Sequence, residues 1–282
     1  MKFTRYGDAE SFAADTLDVL YENEEQNTLP IGFANSGAGY RPKWLLASVR
    51  GDSGVRLVAA CTPPFNIILY ETGNRPDSAA LKLLSDELKS MGFSPSGVLA
   101  EQGLARRFAE VFAGDGGYRP HMTDIVMRLD AVSDVTTAPG FLRPLREGDL
   151  FFAPYWASAF GNECRVETHD IQTNAERLAA RVGKDSYYIW EDGHPVAQAV
   201  HSKSTANGAC ISLVYTPPHY RGKGYATSAV AALSKILLER GFKFCSLYAD
   251  AQNPISCGIY RKIGYRDVCV CEDIKFIERG DV

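Results

Sequence analysis

A chain of 282 residues, 45% hydrophobic and 23% charged, holds enough apolar sequence for two ordinary globular domains. Its formal net charge of −4 excludes a globally basic, nucleic-acid-binding surface, and no apolar run approaches the roughly 20 residues that span a bilayer. The N-terminal stretch Met1-Lys2-Phe3-Thr4-Arg5-Tyr6-Gly7-Asp8 lacks the apolar core of a secretion signal, and seven cysteines, an odd number with no Cys-x-x-Cys pair, predict reduced thiols and a cytoplasmic protein.

The chain opens with a helix from Asp8 that sets Ala13, Leu17, Leu20 and Tyr21 on one side. Strands follow at Trp44 to Val49 and Arg56 to Cys61, joined by the turn Gly51-Asp52-Ser53-Gly54. A further strand (Asn66 to Tyr70), a helix (Ser78 to Met91), a short strand (Gly97 to Ala100) and a helix (Gln102 to Phe112) come next. Gly117-Tyr118-Arg119 then leads into a strand from Asp124 to Leu129, and Thr136-Thr137-Ala138-Pro139-Gly140 reads as a linker. The predicted domains are therefore 1–135 and 140–282.

The second half repeats the plan. A strand from Phe141 to Leu145 precedes helices near Leu150 to Phe160 and Asn174 to Val182, then strands at Ser186 to Trp190 and Val196 to His201 around Asp192-Gly193. Asn207-Gly208 turns the chain into the strand Cys210 to Tyr215. Later come a strand from Phe244 to Ala249 and a last one within Asp267 to Phe276. Gly264-Tyr265-Arg266 echoes Gly117-Tyr118-Arg119, and Thr216-Pro217-Pro218 faintly echoes Thr62-Pro63-Pro64.

The most informative stretch stops the strand at Tyr215 with two prolines and runs Arg221-Gly222-Lys223-Gly224-Tyr225-Ala226-Thr227 straight into a helix. Ala226, Ala229, Val230, Leu233 and Leu237 keep helical spacing, and Gly241 stands at the expected C-terminal cap. Such a loop offers free backbone N–H groups and a positive helix end to an anion, a pyrophosphate above all. Gly222 and Gly224 keep side-chain bulk away from the phosphate oxygens, and Arg221 and Lys223 add charge. Neither a P-loop nor a dinucleotide fingerprint fits this spacing. In the first half the corresponding loop, Glu71-Thr72-Gly73-Asn74-Arg75-Pro76-Asp77, lacks paired glycines and carries acid, so no anion site is expected there.

Downstream, Asn253 reads as an N-cap with Pro254 at the first helical position and Gly264 as the stop. Ile255, Ile259 and Ile263 are expected to form a buried stripe, while Asn253, Ser256 and Tyr260 share another face suited to a polar ligand. Cys269 and Cys271 alternate onto one strand face, which ordinary packing explains, and no metal site is expected.

Together these segments resemble the GNAT superfamily of acyl-CoA-dependent N-acyltransferases. Arg221, Gly224 and Ala226 match its Arg/Gln-x-x-Gly-x-Gly/Ala motif, and Asn253 and Tyr260 match the Asn and Tyr of its next helix. The resemblance implies an α/β fold with a mixed, largely antiparallel sheet flanked by helices, here as two GNAT-like domains in tandem of which the first is degenerate. It implies transfer of an acetyl group from acetyl-CoA to an amine, whether of a small molecule, an amino acid, a peptide terminus or a lysine. The backbone of Leu213, Val214 and Tyr215 is then expected to pair with the pantetheine arm, the loop from Arg221 to Thr227 to hold the pyrophosphate, and Asn253 and Ser256 to line the same site. Tyr260 is the candidate acid for the departing thiolate, since a phenol with a pKa of ~10 can donate to it. Glu191, His201 and Asp250 are open candidates for a general base. A longer-chain, glycine N-acyltransferase-like enzyme and a non-catalytic acyl-CoA-binding protein remain alternatives, as does homodimer formation. No nucleic-acid or membrane partner is expected.

Overall fold

The computed structural model describes residues 1–73, 76–166 and 169–277. In chain order the elements are β1 (Lys2–Arg5), α1 (Ala9–Tyr21), α2 (Thr28–Ala34), β2 (Leu45–Gly51), β3 (Gly54–Cys61), β4 (Ile67–Glu71), α3 (Ser78–Ser90), β5 (Gly97–Glu101), α4 (Gln102–Ala113) and β6 (Tyr118–Leu129). After them come β7 (Phe141–Pro144), α5 (Ala153–Cys164), α6 (Ile171–Ala179), β8 (Tyr187–Glu191), β9 (Pro195–Ser204), β10 (Gly208–Tyr215), α7 (Tyr225–Glu239), β11 (Phe244–Asp250), α8 (Pro254–Ile263) and β12 (Arg266–Phe276). Two compact units result, one built from Met1–Val126 with the segment that starts at Val268, the other from Met127–Asp267.

In the first unit the strand order is β1-β2-β3-β4-β5-β12, antiparallel throughout except for the parallel pair β4–β5. A parallel pair needs a crossover, which α3 supplies. One face of this sheet packs Leu81, Leu84 and Leu88 of α3 and Leu104 and Phe108 of α4. The other packs Phe12 and Leu20 of α1 and Ile31 of α2. Phe12, Thr16 and Leu20 carry the buried edge of α1, with Ala13, Leu17 and Tyr21 only partly covered, so the helix is rotated from its expected face. β1 and α2 escape sequence reading for simple reasons: β1 has four residues, and α2 (Thr-Leu-Pro-Ile-Gly-Phe-Ala) carries a proline and a glycine.

The last strand was expected to complete the second half. Instead β12 pairs with β5, placing Ile274 opposite Val98 in the first unit's core.

The second unit repeats the arrangement with β11-β10-β9-β8-β7, where only β10–β11 is parallel and α7 makes the crossover. Ala229, Val230, Leu233 and Leu237 of α7 are buried, as their spacing predicts. On the opposite face Ala153 and Ala157 of α5 and Leu178 of α6 pack with Tyr187, Ile189 and Val200. α6 begins at Ile171 because Asp170 accepts from the Thr173 amide at 2.8 Å, earlier than Asn174 suggested. Thr62-Pro63-Pro64 follows β3 whereas Thr216-Pro217-Pro218 follows β10, the counterpart of β4, so those motifs are not equivalent. Gly264 is the C-cap of α8, whereas α4 is capped by Gly114 and Gly117 lies three residues further on; both Gly117 and Gly264 stand just before a strand.

Candidate active site

The parallel pairing of β10 with β11 runs only from Gly208–Phe244 to Cys210–Ser246. Beyond it a bulge interrupts β10 between Ser212 and Tyr215, and Leu213 takes φ 49°, which an L-residue with a γ-branched side chain adopts only under constraint. The constraint is visible. Gln198, fully buried on β9, donates from Nε2 to the Leu213 carbonyl at 3.3 Å and accepts from the Tyr187 hydroxyl at 2.6 Å. Burial pushes the Tyr187 phenol up, which keeps it a donor. The bulge leaves Val214 and Tyr215 lining an open cleft of about 290 Å³.

Gly222, Gly224, Tyr225, Ala226 and Thr227 line the same cleft. Gly222 (φ 78°) and Gly224 (φ 82°) are both left-handed, so the loop needs glycine for its backbone as well as for clearance. Gly224 is the N-cap of α7 and supplies no side-chain cap, leaving the first-turn amides for an outside acceptor. The helix start is fixed by Tyr225, whose hydroxyl donates to Asp192 at 2.6 Å, and by Ser228, whose Oγ accepts from the Ala138 amide at 2.8 Å. Thr216 Oγ1, also at the cleft, is buried and has no hydrogen-bond partner among the described residues. An orphaned hydroxyl, an unpaired strand edge and an uncapped helix end form the kind of polar seam that an acyl-CoA arm and pyrophosphate would satisfy.

The basic side chains of the loop behave differently from their backbone. Arg221 folds back, donating to Glu163 at 2.7 and 3.0 Å and to the Thr216 carbonyl at 2.9 Å. Its charge is therefore shared with Glu163 rather than left free for an anion. Lys223 does not line the cleft; its Nζ lies 5.8 Å from the centroid of the Tyr220 ring. Leu213 turns to a neighbouring cavity.

On α8 the Asn253 side chain caps the helix by accepting from the Ser256 amide at 3.1 Å, and Ser256 Oγ donates to the Asn253 carbonyl at 3.0 Å. The expected isoleucine stripe is not the buried one: Ile255 is 76% exposed and only Ile263 is fully covered. Cys257, Tyr260 and Ile263 make the buried edge, while Ile255 and Ile259 line the cleft beside Asn253, Ser256 and Tyr260. Tyr260 packs edge-to-face on Tyr265 with ring centroids 6.0 Å apart. Burial, then the neighbouring Cys164 and Cys257, pushes its phenol up, so it stays protonated.

Three candidate bases from the sequence do not line the cleft. Glu191 pairs with Arg143. His201 contacts Ser204 Oγ at 2.8 Å, and Asp250 accepts from the Gln252 amide at 2.8 Å. The carboxylate that does line it is Glu163 of α5, with Phe160 and Cys164 on the same helical face. Sequence reading missed these because no pattern tells which face of α5 meets the loop; their spacing of three and four is the only signal.

The first unit's corresponding helix end is closed by its own chain. Asp77 accepts from the Ala80 amide at 3.0 Å and pairs with Arg56, while Glu71 accepts from the Asp77 amide at 2.8 Å and pairs with Arg107. Asn74 and Arg75 of that loop lie outside the described residues. Among the described residues no group of side chains could hold a metal ion, and no helix is long and apolar enough to cross a membrane.

The model of the acetyltransferase (GNAT) family matches residues 152–265. Solved structures share the fold over nearly the whole chain. A GCN5-related N-acetyltransferase from Sphaerobacter thermophilus is 16% identical with a TM-score of 0.67, covering 97% of this chain and 95% of that one. A tandem GNAT protein from the clavulanic acid biosynthesis pathway is 13% identical at 0.61, covering 100% and 99%. A GNAT-family acetyltransferase from Colwellia psychrerythraea is 10% identical at 0.59, covering 98% and 100%. No curated protein matches. The chain has the mixed α/β fold of tandem GNAT proteins, and its residues 152–265 are a domain of the acetyltransferase (GNAT) family.

Proposed function

We propose that the second unit is an N-acetyltransferase that moves an acetyl group from acetyl-CoA to a primary amine. The observation that carries this reading is one cleft where the freed edge of β10, the uncapped start of α7 and the Tyr260 phenol converge. The amides of the loop and first turn, from Gly222 to Thr227, would hold the pyrophosphate, and Val214 and Tyr215 would offer the pantetheine arm a strand edge. Bound acetyl-CoA supplies the reactive thioester. A backbone N–H of the bulge, at Val214 or Tyr215, would polarise the thioester carbonyl. As the amine forms its C–N bond and the C–S bond breaks, the amine releases a proton to solvent and Tyr260 donates one to the thiolate. Arg221 and Glu163 hold α5 against the loop and so shape the cleft mouth.

The test is amine-dependent thiol release from acetyl-CoA across a panel of small amines, amino acids and peptides, with the acylated product identified by mass. Release with acetyl-CoA that exceeds release with longer acyl donors supports the reading. Faster turnover of a longer-chain donor would replace acetyl with that group. Tight acyl-CoA binding without any amine-dependent release would make the unit a binding protein.

A further inference from the structure

A second cavity of about 200 Å³ lies behind the acyl-CoA cleft, between α5, α6 and the bulge of β10. The two spaces share Phe160 as a wall, and Leu213, the strained bulge residue, lines the second while Val214 lines the first. An acyl group carried to the bulge from the cleft therefore meets this cavity on the other side. Its volume is below the few hundred cubic ångströms of a drug-sized site, and suits a molecule of a few heavy atoms.

The lining is polar in one sense only. Arg177 and Arg181, four residues apart on and just beyond α6, both face the cavity, with His169 and Asn174 beside them. No aspartate or glutamate lines it among the described residues. Arg181 has no ion-pair or hydrogen-bond partner for its guanidinium among the described residues, and its charge reaches Tyr187, whose ring lines the cavity. Arg177 contacts the His169 ring. Of the acids nearby among the described residues, Asp149, whose charge also reaches Tyr187, pairs with Arg143, Asp170 caps α6, and Glu176 accepts from Gln172 at 2.8 Å. The rest of the wall, Leu178, Phe160 and Leu213, is apolar.

We infer that this cavity takes the acceptor, and that the acceptor is a small amine carrying a carboxylate, that is, an amino acid. Two guanidinium groups, with no acid on the cavity wall among the described residues, repel a diamine or a lysine ammonium. Their planar forks match a carboxylate in bidentate geometry. With the carboxylate held at Arg177 and Arg181, the short body of an amino acid leaves its nitrogen toward Leu213, where the acyl carbon is expected. The amine nitrogen forms the amide as the thioester C–S bond breaks, giving an N-acylamino acid and CoA. The inference rests on the acyltransferase reading of the neighbouring cleft.

The experiment separates the two. N-acetylglycine and N-acetylglycinamide, which differ in the carboxylate charge, are titrated into the full-length protein with and without CoA. In parallel, glycine, alanine and glutamate are compared with glycinamide, ethylamine, putrescine and phosphoethanolamine as acceptors of acetyl-CoA. N-acetylglycine should bind at least tenfold more tightly than its amide, and that preference should vanish in both Arg177→Ala and Arg181→Ala. With the amino acids the same variants should raise acceptor KM tenfold or more while leaving the affinity for acetyl-CoA unchanged. Arg181→Lys should restore only part of the loss, because an ammonium lacks the fork. Equal affinity for acid and amide would overturn the inference whatever the outcome with acetyl-CoA. So would better turnover of putrescine or of neutral amines, and a preference for phosphoethanolamine would assign the arginines to a phosphate instead. Failure of acetyl-CoA to bind, with the carboxylate preference intact, would overturn the acyltransferase reading and leave the carboxylate site standing.

Discussion

Replacing Gly224 by aspartate puts a negative charge at the point where the account places the pyrophosphate. A Cβ built on Gly224 meets only the Ala138 Cβ, at 3.7 Å, which is ordinary contact. The cost to the fold is therefore conformational: φ 82° is left-handed, and an L-residue pays about 1–2 kcal/mol to hold it. Aspartate tolerates this region better than most and can cap the free first-turn amides of α7, recovering about 1 kcal/mol. The net change in stability should be within about 1 kcal/mol, a shift in Tm of roughly 2–4 °C at most. Binding should suffer far more. A carboxylate ~5 Å from one phosphate charge costs about 3 kcal/mol at an effective dielectric of ~20, and solvent at this exposed loop reduces that to about 1–2 kcal/mol. Summed over two pyrophosphate charges, the loss is about 2–4 kcal/mol, or roughly 30- to 1000-fold in Kd. The carboxylate also occupies the amides the pyrophosphate needs. Calorimetric titration with acetyl-CoA, alongside thermal unfolding, reads both quantities, and Gly224→Ala, with the same strain and no charge, should lose less affinity. Unchanged acetyl-CoA affinity in Gly224→Asp, in a protein that melts normally, would refute the assignment of this loop.

Other outcomes follow from the same geometry. Acetyl-CoA should bind at one site per chain, because Asp77 and Glu71 already occupy the helix end at α3; a stoichiometry near two would contradict this. Gln198→Leu should destabilise the second unit by about 2–4 kcal/mol in denaturant titration, since it strands the Leu213 carbonyl and the Tyr187 hydroxyl in the core; a loss below about 0.5 kcal/mol would show that the bulge does not depend on it. Stability should fall as pH rises above about 9, because unfolded Cys and Tyr ionise at about 8.5 and 10 while burial raises Cys61, Cys245 and Tyr6 to about 12 and pushes Tyr260 and Tyr265 up. The folded state then holds more protons than the unfolded one, so the stabilisation is complete below pH ~8.5 and lost above it. A Tm that stays flat from pH 8 to 11 would contradict the burial of these groups.

Much of the anion loop was legible because its signals are local. Two prolines end β10, paired glycines set the backbone, and the apolar spacing of α7 fixes which way the helix faces. The Asn253 cap with Pro254 behind it is local in the same sense. What escaped depends on tertiary partners. Arg221 reads as a free cation until Glu163, fifty-eight residues earlier, is placed against it. Ile255 has core chemistry yet lies on the cleft side of α8, because the face of the helix turned to the core carries Cys257, Tyr260 and Ile263 instead. β12 has a strand's sequence in either unit, and only pairing with β5 decides where it goes. Arg177 and Arg181, on and just beyond α6, carry no pattern of their own in the sequence, since the cavity they line is completed by α5 and the bulge.

The most direct test of the catalytic account is Tyr260→Phe, assayed for acetyl-CoA affinity and for kcat with a working amine. The ring packs on Tyr265 and the pyrophosphate loop is untouched, so affinity should hold while kcat falls by about 10²–10⁴, the range for a lost general acid. Full kcat across neutral pH would make Tyr260 a packing residue, and loss of acetyl-CoA binding would confine it to the donor site; either result contradicts its role as the proton donor to the departing thiolate.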